Sequence, residues 1–253
     1  MQKYPTDKST WELPQFVDSH MYKRLEDLPV FETGCDSGYS WSKNFKHLAL
    51  TFNDGEEFYR NQIAHLLYDG EWQHSKTLHE MDLCFTGGEP MLWQKQMIEI
   101  YNSLLSYSSG PEVIQIETNG TQPLSKKFIE WYITNNIGLC WNISPKLFNV
   151  SGEQSEDAWH PEVIKSYYAL NQYGHLKFVM NNDPRSWNEL EDRVKELRDN
   201  EVDLPVYVMP AGATKSQQED SKVVSAIANE AINRGYHVSG RLHAILFGNG
   251  LGT

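Results

Sequence analysis

Apolar residues along this chain recur in two alternating rhythms. Short runs such as "HLALT" (47–51), "DLCFT" (82–86), "VIQIE" (113–117), "GLCWNIS" (138–144), "LKFVM" (176–180), "PVYVM" (205–209) and "RLHAILF" (241–247) read as strands. Between them lie segments whose apolar positions return every three or four residues, at 56–68, 93–105, 125–136, 161–173, 186–200 and 221–234, and these predict helices. Strand and helix alternate through most of the chain. Such an order predicts an α/β fold with right-handed crossovers and a mostly parallel sheet. The first 45 residues fit the alternation poorly and are expected to form an N-terminal extension or cap, with residues 46–253 as one barrel-like domain.

In a parallel sheet of this kind, ligands bind beyond the carboxyl ends of the strands. Four strand ends carry polar chemistry: Thr86-Gly87-Gly88-Glu89-Pro90, Glu117-Thr118-Asn119-Gly120-Thr121, Ser144-Pro145-Lys146 and Met209-Pro210-Ala211-Gly212. Two adjacent glycines let a backbone turn sharply and let a ligand approach without a Cβ in the way. Glu89 could accept from an ammonium group, although a plain strand-to-helix turn would also explain the motif. Asn119-Gly120 is a common turn pair, whereas a glutamate closing a strand, as Glu117 does, is less expected on structural grounds. Lys146 could meet a carboxylate or a ribose oxygen, or simply lie on the surface. Cys84 and Cys140 sit in apolar strands, where a packed structural thiol is the ordinary reading. His243, amid apolar neighbours in the last run, reads as a packed histidine near a strand end.

Composition narrows the partners. A net charge of −12 leaves no excess of lysine and arginine to neutralise nucleic-acid phosphates or anionic lipid, so neither is an expected partner. No apolar stretch is long enough to cross a membrane, the N-terminus lacks the apolar core of a signal peptide, and a cytoplasmic location is expected. The three cysteines, Cys35, Cys84 and Cys140, are widely separated and make no Cys-x-x-Cys pair, which argues against a disulfide framework or a zinc ribbon.

Taken together, "TGGEP", "ETNGT", "SPK", the upstream "CDSGYSW" (35–41) and the terminal "RLHAILFGNGLGT" resemble the radical S-adenosylmethionine superfamily, and within it the 7-carboxy-7-deazaguanine synthases of the queuosine and 7-deazapurine pathways. The resemblance runs from about Cys35 to Thr253. It implies a partial (β/α)6-type TIM-like barrel, commonly a homodimer. It also implies S-adenosyl-L-methionine, a [4Fe–4S] cluster and Mg²⁺ as cofactors. The implied reaction is conversion of 6-carboxy-5,6,7,8-tetrahydropterin to 7-carboxy-7-deazaguanine with loss of ammonia. By the same resemblance Gly87, Gly88 and Glu89 contact the methionine part of the cofactor, and Glu117, Ser144, Pro145 and Lys146 line cofactor and substrate. Thr86 approaches the pterin, Arg24 grips its carboxylate, Thr253 lies near the substrate, Cys35 ligates the cluster and Ser37 ligates Mg²⁺.

One part of the pattern is missing. The family holds its cluster with Cys-x₃-Cys-x₂-Cys, since soft thiolates are what cluster iron takes. With Cys35 as the last of the three, the first two positions are Leu28 and Glu32, and no cysteine precedes Cys35. The glycine-rich substrate segment, usually "QGEG", is absent as well. Two readings of different class follow: a synthase with an unconventional cluster site, or a relative that lost the redox centre and acts as a ligand-binding or protein-binding regulator.

Overall fold

The computed structural model describes residues 55–212 and 214–247, together with 21–24, 27 and 44. Its centre is a six-stranded sheet in the order β1-β2-β3-β4-β5-β6, with every neighbouring pair parallel. The strands are β1 (Leu83–Phe85), β2 (Val113–Thr118), β3 (Gly138–Ile143), β4 (Gly174–Met180), β5 (Val206–Pro210) and β6 (His237–Val238). The helices are α1 (Gly55–Phe58), α2 (Gln94–Tyr107), α3 (Lys126–Asn135), α4 (Phe148–Ser151), α5 (Ser155–Ala158), α6 (Pro161–Leu170), α7 (Pro184–Asp199), α8 (Lys215–Gln218), α9 (Ser221–Asn233) and α10 (Leu242–Phe247). Strands that follow one another in space as in sequence, joined by right-handed crossovers, place their helices on one face. The sheet is therefore the wall of a partial TIM-like barrel, as expected from the alternation.

Burial confirms which face the helices cover. Ile114 and Ile116 of β2, Leu139, Trp141 and Ile143 of β3, Leu176, Phe178 and Met180 of β4, and Val206 and Val208 of β5 are all buried. They pack against Phe128 and Trp131 of α3, Tyr167 of α6, Leu190 and Leu197 of α7, and Ile227 of α9. Trp141 stacks on Tyr167 with ring centroids 4.4 Å apart and lies 6.3 Å from Phe128. Burial of such large apolar rings is the main drive for closing helices onto the sheet, at roughly 25 cal/mol per Å².

Local signals set the element ends. Asp183 and Asp220 accept from the first backbone N–H groups of α7 and α9, and Ser125 does the same for α3. Such caps satisfy donors that a helix start leaves without partners. Asn136 ends α3 in the left-handed conformation. The predicted helix at 56–68 is helical but irregular: α1 passes into a π turn at Tyr59–Ile63 and a 3-10 turn at Ala64–Leu66, none of it buried.

One predicted element is wrong in type. "RLHAILF" is not the last strand; it forms helix α10, with Ala244 buried and Leu242 and Leu246 exposed. A short apolar run cannot be told from a helical segment by pattern alone, and this one is rich in leucine and alanine, which favour helix. The sixth strand is instead His237–Val238, two residues too short to register as a run. His243 therefore lies on a helix and not at a strand end. The predicted strand at 47–51 lies outside the described residues.

Candidate functional site

The inner face of the sheet is polar, and it is built from the alternate positions of the same strands. Cys84 stands beside Gln115, which stands beside Cys140. One step toward the carboxyl ends, Glu117 pairs with Asn142, and Asn142 with His175. Lys177 then pairs with Tyr207, and Tyr207 with His237. Hydrogen bonds cross the strands on this face. Gln115 Nε2 donates to Asp82 Oδ2 at 2.5 Å, Asn142 Nδ2 to Gln115 Oε1 at 3.0 Å, and Thr86 Oγ1 to Glu117 Oε2 at 3.1 Å. The Tyr207 ring lies between His175 and His237, with centroids 4.9 and 4.7 Å away.

The two described cysteines are not the packed structural thiols expected of apolar strands. Cys84 is exposed and Cys140 half-buried, both on the inner face. Their strands are apolar only on alternate residues, and the thiols fall on the other ones. Cys84 is open to solvent at its surface yet walled by neighbouring strands. That burial, with the Glu117 carboxylate second, pushes its thiol up to about 11. Burial, then Asp82, also raises the Cys140 thiol. His175 moves the other way: burial and then the Lys177 ammonium lower it, against a smaller opposing effect of Glu117. Glu117 and Lys177 act on both Cys84 on β1 and His175 on β4, as groups on one face of the sheet do.

Above this wall the strand-end loops are stitched into a belt. Gly87 and Gly88 turn the chain through left-handed backbone, at φ 87° and 55°, and a Cβ at Gly87 would meet nothing within 4 Å. Glu89, 6% exposed, points back into the protein. Its carboxylate accepts from Met91 N at 3.0 Å, Thr118 Oγ1 at 2.7 Å and Asn119 N at 2.7 Å, so the first loop is bolted to the second. Ser144 N donates to Thr118 O at 2.7 Å, which adds the third loop. The fully buried Glu189 of α7 then accepts from Phe148 N at 2.8 Å and from Asn149 N at 2.9 Å, capping α4 just beyond Pro145 and Lys146. Asn181 Nδ2, after β4, donates to Asn149 O, and Ala211 N, after β5, to Met180 O. Gly120 sits in this belt at φ 79°, where a Cβ would press on Ile143 and Ile164 at 3.0 and 3.1 Å.

The sequence-derived site residues divide accordingly. Thr86, Gly87, Gly88, Glu89, Glu117, Ser144, Pro145 and Lys146 come together at one end of the sheet. Within this group Thr86, Gly87 and Glu117 are exposed while Pro145 is buried. Glu89 spends three of about four acceptor directions on the protein itself. Arg24 is exposed in the isolated stretch 21–24. Cys35, Ser37 and Thr253 lie outside the described residues. Sequence reasoning missed Asp82, Gln115, Asn142, His175, Lys177 and Tyr207. Their signal was present: in each strand the polar residues occupy the positions that alternate with the apolar ones.

A parallel sheet in sequential strand order, with helices between its strands, a polar inner wall and polar loops at the carboxyl ends, defines a partial-barrel α/β protein. No family model matches the chain. It is a distant homologue of the 7-carboxy-7-deazaguanine synthase of Pyrobaculum aerophilum, 25% identical over an alignment of 242 residues that covers 92% of this chain and 87% of that protein. The likeness is therefore nearly end to end, and it falls on the family that the loop motifs resemble. Among the described residues no helix is long and apolar enough to cross a membrane.

Proposed function

We propose that the chain is a 7-carboxy-7-deazaguanine synthase-like protein of 7-deazapurine metabolism that binds S-adenosylmethionine and 6-carboxy-5,6,7,8-tetrahydropterin in a cup between the inner wall and the strand-end loops. The observation that carries this reading is the Thr86–Pro90 turn. Both its glycines take left-handed backbone and Gly87 opens onto free space, while its glutamate is anchored inward. A rim held in that way presents backbone groups to a ligand at little ordering cost. Thr86 and Glu117, joined by a hydrogen bond, face the same volume and suit the amino groups of either ligand.

The conventional cluster does not fit this chain. Leu28 and Glu32 occupy two of its three thiolate positions, and leucine has no donor at all. Among the described residues no group of three histidine, cysteine or acidic side chains could hold a metal ion. Binding and orientation of the ligand pair are therefore the core of the proposed function. Ser37 stands as the proposed Mg²⁺ contact by its motif alone.

A second reading, full turnover, draws on one observation. Cys84 and Cys140 open onto the same inner face, and with Cys35 the chain has three thiols in all. Calorimetry with S-adenosylmethionine and with 6-carboxypterin tests the first reading, and binding of neither ligand would overturn it. Anaerobic iron–sulfide reconstitution tests the second: about four irons per chain, lost on Cys84→Ser or Cys140→Ser, would establish it, and an iron-free product would refute it.

A further inference from the structure

Lys177 is the one cation that the described strands place on the inner wall. It is half-buried on β4, beside Tyr207 on β5, and two residues on from His175 on the same face. No hydrogen bond or ion pair engages its ammonium among the described residues, although Glu117 and Asp82 share the wall. Its field nevertheless reaches both Cys84 and His175. Exposed lysines are ordinary without partners. A half-buried one inside a cup loses part of its hydration, and an incoming anion restores what the water supplied.

The surroundings fix what kind of anion fits. Tyr207, the register neighbour of Lys177 on β5, carries its ring between His175 and His237, which lines the wall beside the lysine with aromatic surface. Glu117 stands across the wall with no salt bridge to Lys177, so the two charges remain apart, an acid on β2 and a base on β4. A ligand with a carboxylate near a nitrogen base satisfies both, with its carboxylate toward Lys177 and its N–H groups toward Glu117. A phosphate would bring a second negative charge toward Glu117 and is disfavoured.

We infer that Lys177 is a carboxylate-binding residue of the cup, with Tyr207 lining the wall beside it. The inference rests on the proposed function, in which two ligands carry such a group: the methionyl carboxylate of S-adenosylmethionine and the C6 carboxylate of the pterin. The shared chemistry is a carboxylate held by a half-buried ammonium, and matched ligand pairs separate the two sources.

The test is calorimetry of wild type and Lys177→Met with four probes: S-adenosylmethionine, decarboxylated S-adenosylmethionine, 6-carboxypterin, and pterin lacking the carboxylate. Lys177→Met is expected to weaken one carboxylated probe about 10- to 100-fold, the range for a charge-assisted hydrogen bond. Its decarboxylated partner should shift less than about twofold, and Lys177→Arg should recover most of the loss. The pair that responds names the source. Wild-type binding left unchanged by Lys177→Met, or weakened equally for both members of each pair, overturns the Lys177 assignment and leaves the proposed function standing. Failure of the wild type to bind any of the four overturns both. Far-UV circular dichroism melts of each variant ensure that a lost signal is not lost fold; should Lys177→Met melt early, Lys177→Gln supplies the same comparison.

Discussion

Replacing Glu89 by glutamine is expected to remove about 2–4 kcal/mol of stability without changing the fold. The carboxylate accepts three donors: Met91 N and Thr118 Oγ1 on one oxygen, Asn119 N on the other. An amide offers one oxygen. In its better orientation it keeps Met91 and Thr118 and turns an NH₂ toward the Asn119 N–H. One charge-assisted bond, about 1.5–3 kcal/mol, is then lost, and a donor faces a donor in a buried place. Glu89→Ala strips all three partners and should cost about 4–6 kcal/mol, in the upper range for a buried charge group removed from its network. Urea unfolding followed by tryptophan fluorescence reads both, as a lower midpoint at unchanged slope. The reasoning fails if Glu89→Gln lies within about 1 kcal/mol of wild type. It fails most informatively if stability holds while affinity for S-adenosylmethionine falls, because the carboxylate would then serve the ligand and not the belt.

Further expectations concern single residues. Gly174→Ala should destabilise by about 3 kcal/mol or more: at φ 151° a Cβ would overlap the Trp141 carbonyl oxygen and lie 2.8 Å from the Trp141 nitrogen, and an unchanged thermal midpoint would contradict this. His175 titrates below its ordinary value because of burial and Lys177. Between that lowered value and about 6.5 the unfolded chain holds a proton the folded chain does not, so stability present above 6.5 is lost as pH falls through this window. His175→Gln should flatten the fall in urea midpoint between pH 7 and pH 5, and an identical slope would refute it. Alkylation of Cys84 by iodoacetamide, followed peptide by peptide, should rise with a midpoint near 11; a midpoint near 9 would mean that the wall does not shield the thiol.

The fold was legible because its largest contributions are periodic. Ile114, Ile116, Trp141, Ile143, Leu176 and Phe178 stand at alternate positions in continuous strands, and the helices between them repeat at three or four. The failure at residues 237–247 has the opposite cause. His237–Val238 owes its strand state to pairing with Tyr207 and Val208, a contact made in space and invisible in two residues of sequence. "RLHAILF" has enough apolar character for either element, and tertiary packing of Ala244 decides for helix. At the site, the glycines and glutamates of the strand ends could be read from residue type and place. That Glu89 faces inward could not, because its partners, Thr118 and Asn119, lie some thirty positions on. Lys177 escaped notice, and Cys84 and Cys140 read as packed thiols, because each sits in an apolar run, where alternation hides a polar face.

The belt along the rim separates two jobs that many binding sites merge. Its bonds come from Glu89, Thr118, Asn181, Glu189 and main-chain groups, while the side chains of Glu117, Ser144, Lys146 and Lys177 contribute none of them. Scaffold and selectivity can therefore drift independently. Under the proposed function, a lineage could exchange the inward-facing residues, lose one chemistry and acquire affinity for another heterocycle with the hydrogen bonds of the rim intact. Under the same reading this makes the cup a cassette for protein engineering, in which ligand choice is rewritten at a handful of positions while the rim is left untouched.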